Sequence, residues 1–172
     1  MKILLTSFAT WKKHQRSNAS EDLIQAVLER DRFDQNCYFL RNLPVDFELA
    51  PKLVIEKITE IQPDVTICCG MAENRSRLSI ESTGKFHSKI LRSRLDLASL
   101  VESTIATEIS HDAGNFVCNY LYYRVLKSLE AQPQHCVFVH VPILTASNLE
   151  TIVQDFLEIV DRLAISPLAS TS

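Results

Sequence analysis

The hydrophobic positions of the chain follow two alternating patterns. Short, continuous apolar runs are separated by longer segments in which apolar residues recur every three or four positions. The first pattern is typical of buried β-strands, and the second is typical of amphipathic helices. The apolar runs predict strands at residues 3–6, 37–40, 65–69 and 136–141, and a further strand is expected at 105–109.

Helical periodicity occupies the segments between these runs. The predicted helices are 21–30, a helix that begins at 51, and the segments 95–101, 115–129 and 149–163. The helix over 115–129 is the most regular of them, with Phe116, Val117 and Leu121 expected on its apolar face.

Three helix starts have recognisable end signals. Asn18 with Glu21, and Ser147 with Glu150, have the spacing of a capping box, in which two side chains satisfy free backbone N–H groups. Pro51 fits the first turn of a helix, where its missing N–H costs no hydrogen bond.

Strands that alternate with helices indicate βαβ units, a mostly parallel twisted sheet and helices on both faces. The predicted fold class is therefore α/β, a three-layer α/β/α sandwich. With 172 residues and no linker or repeat, residues 1–165 are expected to form a single domain, followed by a frayed tail at 166–172.

Composition narrows the function classes. Hydrophobic residues make up 46% of the chain and charged residues 23%, as in globular proteins. A net charge of −3 and a pI near 5.9 do not favour nucleic acid or an anionic membrane as a partner. The 5 cysteines lack C-x-x-C or zinc spacing, so neither a disulfide framework nor a metal site is expected. No signal or transmembrane segment is recognised, which favours a reducing, cytoplasmic location.

Three polar residues fall near the carboxyl ends of predicted elements, where open α/β sheets bind ligands. Cys118 lies in the first turn of the helix over 115–129, where the helix dipole and free N–H groups favour a thiolate. Its alternative is a buried, inert cysteine. His140 ends a strand and is either a general base or a core histidine bonded to a carbonyl. Glu81 is either the carboxylate that orients this imidazole or a solvated surface residue.

Three blocks of the sequence carry a resemblance. Residues 70–81 (GMAENRSRLSIE), 112–119 (DAGNFVCN) and 138–142 (FVHVP) resemble, in order, three blocks of the pyroglutamyl peptidase family, also called pyrrolidone-carboxylate peptidases. The cysteine block is the most specific of the three. The resemblance implies a catalytic triad of Cys118, His140 and Glu81.

The resemblance also implies an activity and a substrate site. The family removes an N-terminal pyroglutamyl residue from peptides, without a cofactor or metal, so a peptide or small N-acyl amide is the expected substrate. Arg75 matches a family arginine that holds either the glutamate or the oxyanion, with a solvated surface arginine as the alternative. A homo-oligomer is compatible with the family. The residues expected to bind substrate are Phe8, Trp11, Met71, Phe116, Val117 and Arg75.

The sequence departs from the family pattern in three places. The usual Phe-x-Pro-Phe-Gly loop is Phe8-Ala9-Thr10-Trp11-Lys12 here, although two aromatic residues remain to sandwich a flat lactam. Met71 replaces a glutamine, and Glu73-Asn74 replaces a glycine pair. The segment 82–111 is shortened, and its basic stretch 85–94 is expected to be a solvated surface.

These departures leave three hypotheses. The first is a cysteine exopeptidase acting on N-terminal pyroglutamate. The second is a cysteine amidohydrolase with a different small acyl group, motivated by Met71, Trp11 and the shortened segment. The third is a catalytically idle relative that serves as a binding module, because a water-filled site stabilises an oxyanion poorly.

Overall fold

The computed structural model describes residues 1–13, 15–31, 33 and 35–165, so the predicted tail at 166–172 lies outside the described residues. The strands are β1 (Ile3–Phe8), β2 (Cys37–Leu43), β3 (Val65–Met71), β4 (Leu78–Glu81), β5 (Thr83–Phe86), β6 (Lys89–Arg92), β7 (Thr107–Ser110) and β8 (His135–Val141). The helices are α1 (Ala19–Leu28), α2 (Leu49–Ile61), α3 (Leu97–Val101), α4 (Val117–Ser128) and α5 (Leu149–Ile165). Within the described residues, no helix is both long and apolar enough to cross a lipid bilayer.

The central sheet has six strands in the order β2-β1-β3-β8-β4-β7. Its ladders are parallel except between β4 and β8, which are antiparallel. β5 and β6 form a separate antiparallel hairpin. The predicted three-layer sandwich with a mostly parallel sheet is confirmed.

The two faces of the sheet are covered by different helices because side chains alternate along a strand. In the central strands, odd-numbered residues such as Leu5, Ile67 and Val139 pack with α1, α3 and α5. Even-numbered residues such as Cys68 and Phe138 pack with α2 and α4. An even-numbered residue of β3 or β8 therefore faces α4, and this parity determines which side chains can meet Cys118.

The helix starts differ from the sequence expectation in detail. α1 begins at Ala19, two positions earlier than predicted, and the side chain of Asn18 caps it by accepting from Ser20 N at 3.1 Å. Glu21 does not complete a capping box. It accepts from Arg41 Nε at 2.8 Å instead, because β2 brings that guanidinium next to it.

The capping box predicted for α5 is wrong. Ser147 Oγ lies 2.9 Å from Thr145 Oγ1, and Glu150 binds Arg30 of the neighbouring α1 region at 3.1 Å. A local contact thus engages Ser147, and a tertiary contact engages Glu150. α2 begins at Leu49, so Pro51 lies within its first turn rather than at its first position.

Residues 83–92 form a hairpin that was not predicted. Most of the hairpin is exposed, as expected for a solvated surface, but Thr83 and Gly84 are buried against α4. A Cβ added to Gly84 would lie 2.7 Å from Tyr123 N, so only a glycine permits this close approach. β5 (TGKF) and β6 (KILR) do not alternate apolar and polar residues, so they lack the period of two that predicts a strand. β4 (LSIE) does alternate over its four residues but was not predicted as a strand, whereas β7, which is equally short, was expected within 105–109.

Candidate active site

Glu81 and His140 form a buried hydrogen-bonded pair. Glu81, the last residue of β4, is fully buried, and His140 is 6% exposed in β8. Glu81 Oε1 lies 2.6 Å from His140 Nδ1. Glu81 is therefore not the solvated surface residue that was its alternative interpretation. His140 is hydrogen-bonded to a carboxylate and not to a carbonyl, so its alternative interpretation is also excluded.

The antiparallel register of β4 on β8 explains how the two side chains meet. Ser79 is the register partner of His140, and Glu81 is the partner of Phe138. Glu81 therefore reaches His140 along the diagonal, on the face of the sheet that α4 covers. Glu81 and His140 lie at or next to the carboxyl ends of their strands, although β4 runs antiparallel to β8.

Cys118 is held over the same face of the sheet by Gly70. A Cβ added to Gly70 would lie 2.7 Å from Cys118 Sγ, so the missing side chain creates the space for the sulfur. Gly70 is the register partner of His140 across the β3–β8 ladder. Since neighbouring strands are about 4.8 Å apart, the thiol and the imidazole occupy adjacent positions. Among the residues that the structure describes, no hydrogen bond joins them.

The expected thiolate is not favoured in this resting arrangement. Cys118 is partly exposed at the floor of a cavity. Desolvation by the surrounding protein nevertheless raises the pKa of its thiol to about 12. The free backbone N–H of Cys118 lowers the pKa, and this effect is smaller than that of burial. The thiol is therefore neutral until a base removes its proton.

Glu81 remains a carboxylate despite its burial. Burial is the largest single influence and raises its pKa. The hydrogen bonds with His140 and Ser110, and the charges of His140 and Arg75, together lower the pKa below its ordinary value. Arg75 Nη1 lies 2.6 Å from Glu81 Oε1. Of the alternatives for Arg75, the structure shows the contact with the glutamate.

A cavity of about 210 Å³ opens beside the thiol. Four of the residues expected to bind substrate line it together with Cys118, and these are Phe8, Trp11, Met71 and Phe116. Val117 does not line it, because its side chain is 1% exposed in the core.

The aromatic wall of this cavity differs from the expected sandwich of Phe8 and Trp11. Trp11 packs on Phe116, with ring centroids 4.8 Å apart and planes inclined by 35°. Phe116 was expected on the apolar face of the helix, and it is instead 42% exposed. The reason is that Phe116 is the N-cap of α4, with extended backbone, so its side chain does not follow the helical face.

Lys12, Gln15 and Glu73 also line the cavity and were not predicted as site residues. Lys12 Nζ lies 2.8 Å from Glu73 Oε2, and Gln15 Nε2 donates to Glu73 Oε1 at 2.7 Å. The departures from the family at Lys12 and Glu73 were the only available signal. For Gln15 the sequence contained none.

A helix that presents a cysteine to a histidine–carboxylate pair on a sheet is typical of cysteine-type peptidases. The family model described as "Pyroglutamyl peptidase" matches residues 1–89 and 84–156. The chain therefore belongs to the pyroglutamyl peptidase family. The two matched pieces meet within the β5–β6 hairpin, where the sequence analysis located a shortened segment.

Individual relatives agree with this assignment. The pyrrolidone-carboxylate peptidase of Clavibacter michiganensis is 27% identical over 177 residues, covering 87% of this chain and 82% of the relative. That of Pyrococcus furiosus is 27% identical over 180 residues, covering 88% and 86%. The crystal structure of pyroglutamyl peptidase I from Bacillus amyloliquefaciens shares the fold with a TM-score of 0.81 at 20% identity, covering 96% of this chain and 95% of that one.

Proposed function

We propose that the protein is a cysteine exopeptidase that removes an N-terminal pyroglutamyl residue from peptides. Cys118 is the nucleophile, His140 is the general base and acid, and Glu81 orients the imidazole. The observation that carries this proposal is the buried 2.6 Å contact between Glu81 Oε1 and His140 Nδ1, beside a thiol seated on Gly70. Membership of the pyroglutamyl peptidase family supports the choice of substrate.

Acylation begins from the neutral thiol. Glu81 holds the proton on Nδ1 of His140, so Nε2 is free to accept the thiol proton while Sγ attacks the pyroglutamyl carbonyl carbon. The carbonyl π electrons move to oxygen, where backbone N–H groups at the start of α4 stabilise the negative charge. When this intermediate collapses, the C–N bond breaks and His140 donates its proton to the leaving amine. A thioester on Cys118 remains.

Deacylation repeats the sequence with water as the nucleophile. His140 Nε2 takes a proton from water, whose oxygen attacks the thioester carbon. Cleavage of the C–S bond returns the proton to Sγ and releases free pyroglutamate. In this scheme Phe8, Trp11 and Phe116 pack against the flat ring, and Arg75 acts on the imidazole through Glu81.

A second candidate is a cysteine amidohydrolase with a different small acyl group. Met71 favours it, since it lines the cavity at a position where the family has a glutamine. The chemical steps on Cys118 and His140 are the same. A panel of N-acyl amides separates the candidates: this one fails if the pyroglutamyl amide has the highest kcat/KM.

The primary test is hydrolysis of a pyroglutamyl amide reporter by the wild type, by Cys118→Ala and by Cys68→Ala. Cys68 is a buried cysteine on the same face of the sheet and serves as the matched control. We expect activity in the wild type and in Cys68→Ala, and none in Cys118→Ala. Equal rates for the wild type and Cys118→Ala would refute the proposed nucleophile.

A further inference from the structure

We propose that Lys12 and Glu73 form a binding site for the polar edge of the substrate's lactam ring. In this site the Lys12 ammonium donates a hydrogen bond to the ring carbonyl, and the Glu73 carboxylate accepts one from the ring N–H. The inference rests on the proposed function, because it concerns how the same cavity recognises a pyroglutamyl group.

The chemistry of the ring sets the requirement. A five-membered lactam holds its amide cis, so a carbonyl acceptor and an N–H donor lie next to each other on one edge. A site that leaves either group without a partner after removing it from water weakens binding. Selective recognition therefore needs one donor and one acceptor, side by side, within reach of the nucleophile.

Two further polar side chains of the cavity, Asn18 and Gln15, are already engaged within the protein. Asn18 is buried, with Nδ2 donating to Ala9 O at 3.1 Å and Oδ1 accepting from Ser20 N at 3.1 Å. Gln15 Oε1 accepts from the backbone N–H groups of Trp11 and Lys12 at 3.2 and 3.1 Å. These amides hold the loop that precedes α1 and have little capacity left for a ligand.

Lys12 and Glu73 present a charged donor and a charged acceptor to the cavity, in contact with each other. Their Nζ and Oε2 atoms are 2.8 Å apart, so a cationic donor and an anionic acceptor stand next to each other on one wall of the cavity. An ammonium has three N–H donors, and a carboxylate accepts about four hydrogen bonds. Their side chains are 31% and 33% exposed, so the pair is open at the cavity mouth but not freely solvated.

The pair is also held in position before a ligand arrives. Gln15 Nε2 donates to Glu73 Oε1 at 2.7 Å, which ties the loop before α1 to the loop after β3. A preorganised pair loses less conformational freedom on binding than an unrestrained side chain does. Met71 cannot take this role, because its thioether is a weak acceptor that already receives Ala19 N at 3.4 Å.

The test measures binding, so that it does not depend on turnover. Full-length Cys118→Ala is titrated calorimetrically with pyroglutamyl-alanine and with two analogues. One analogue is the lactone, in which a ring oxygen replaces the N–H, and the other is cyclopentanecarbonyl-alanine, which lacks both polar groups. We expect the lactam to bind about 10- to 100-fold more tightly than the lactone, the range for a hydrogen bond to a charged group.

Variants in the same Cys118→Ala background assign that preference. Glu73→Ala should bind the lactam and the lactone equally, and Glu73→Gln should recover part of the preference because it retains an acceptor. Lys12→Met should reduce binding of both, since both retain the carbonyl. Glu60→Ala removes an exposed lysine–glutamate pair on α2, with Lys57 Nζ at 2.9 Å, and should change nothing.

Three results would overturn the proposal. They are lack of a lactam preference in the Cys118→Ala parent, a preference that survives Glu73→Ala, and a preference that is lost in Asn74→Ala while Glu73→Ala retains it. Equal weakening of all three ligands by Glu73→Ala would show that the pair only holds the two loops together. Lactam-selective binding without turnover in the wild type would refute the proposed catalysis and leave this site standing.

Discussion

Arg75 Nη1 lies 2.6 Å from Glu81 Oε1, the same oxygen that faces the imidazole of His140. One carboxylate oxygen thus contacts both the guanidinium of Arg75 and the imidazole of His140. Arg75 Nη2 also donates to Asp112 O at 2.9 Å, which ties the group to the loop before α4. The carboxylate that orients the imidazole is itself oriented by the segment that leads to Cys118.

Replacing the carboxylate by an amide tests its role in orienting the base. Glu81→Gln keeps the shape of the side chain but offers His140 an amide, which can favour the wrong tautomer. We expect kcat for the pyroglutamyl reporter to fall by about 10⁴-fold, as for a triad carboxylate changed to its amide. Glu108→Gln on β7 is the matched control and should leave kcat unchanged. A loss below tenfold for Glu81→Gln would contradict the assignment.

The lowered pKa of Glu81 makes stability depend on pH. Because folding favours the carboxylate, its contribution is complete above the ordinary glutamate pKa of about 4.3 and is lost as the pH falls through the lower folded-state value. Arg75→Met removes one of the charges that lower this pKa. We expect it to reduce the free energy of unfolding at pH 7, and we expect its deficit relative to the wild type to shrink below about pH 4.

Urea unfolding at a series of pH values measures this deficit. Arg77→Met is the control, since Arg77 Nη2 donates to the backbone carbonyls of Ile105 and Thr107 at 2.9 and 3.2 Å. Its deficit should not follow the titration of Glu81. An Arg75→Met deficit that stays constant from pH 7 to the acid limb would show that the ion pair does not act through the ionisation of Glu81.

The raised pKa of Cys118 predicts slow alkylation of the resting protein. With a pKa of about 12, on the order of 10⁻⁵ of the thiol is ionised at pH 7. The iodoacetamide rate at Cys118 should therefore still rise at about pH 10, where an ordinary thiol near pKa 8.5 has reached its plateau. Mass spectrometry of the peptide that contains Cys118 follows the reaction, and Cys118→Ala supplies the blank.

A different outcome is equally informative. Rapid, selective labelling of Cys118 near pH 6 would mean that the resting site holds a thiolate–imidazolium pair. The mechanism would then begin from the ionised sulfur rather than from proton transfer during attack.

Gly70 predicts a steric dependence of the nucleophile's position. In Gly70→Ala, the new methyl group would lie 2.7 Å from both Cys118 Sγ and Phe138 Cζ, and the buried ring cannot move aside. We expect the sulfur to be displaced and kcat to fall at least 100-fold, with overpacking costing about 1–3 kcal/mol of stability.

Gly84→Ala is the matched control for Gly70→Ala. It creates a contact of the same length, 2.7 Å to Tyr123 N of α4, but it does not touch the sulfur. It should reduce the melting temperature to a similar extent but retain most of kcat. Equal activity losses for the two variants would mean that any disturbance of α4 inactivates the protein.

The helices and strands with a regular hydrophobic pattern were predictable from the sequence. They contain two of the three candidate catalytic residues. Cys118 and His140 belong to a regular helix and a continuous apolar strand, whose local patterns sufficed. Glu81 could be recognised only through the family resemblance, because a single glutamate is most often a solvated surface residue. Its contact with His140 depends on an antiparallel register between two strands that are separated along the chain by β5, β6, α3, β7 and α4.

The residues that surround the cavity were harder to predict from the sequence than Cys118 at its floor. Lys12 and Glu73 lie in separate loops, and neither loop has a hydrophobic period that fixes its course. Their contact forms only after the sheet has placed the ends of β1 and β3 side by side. The exposed position of Phe116 likewise follows from its extended backbone at the helix start, which a helical pattern does not reveal.

β4 lies next to β7, a four-residue strand at the edge of the sheet. Loss of activity and global unfolding should therefore occur at different temperatures. Fraying of that margin would withdraw Glu81 while β3, β8 and α4 still hold Gly70, His140 and Cys118 together. Local opening of this kind needs less free energy than global unfolding. On heating, activity should therefore be lost before the protein unfolds globally.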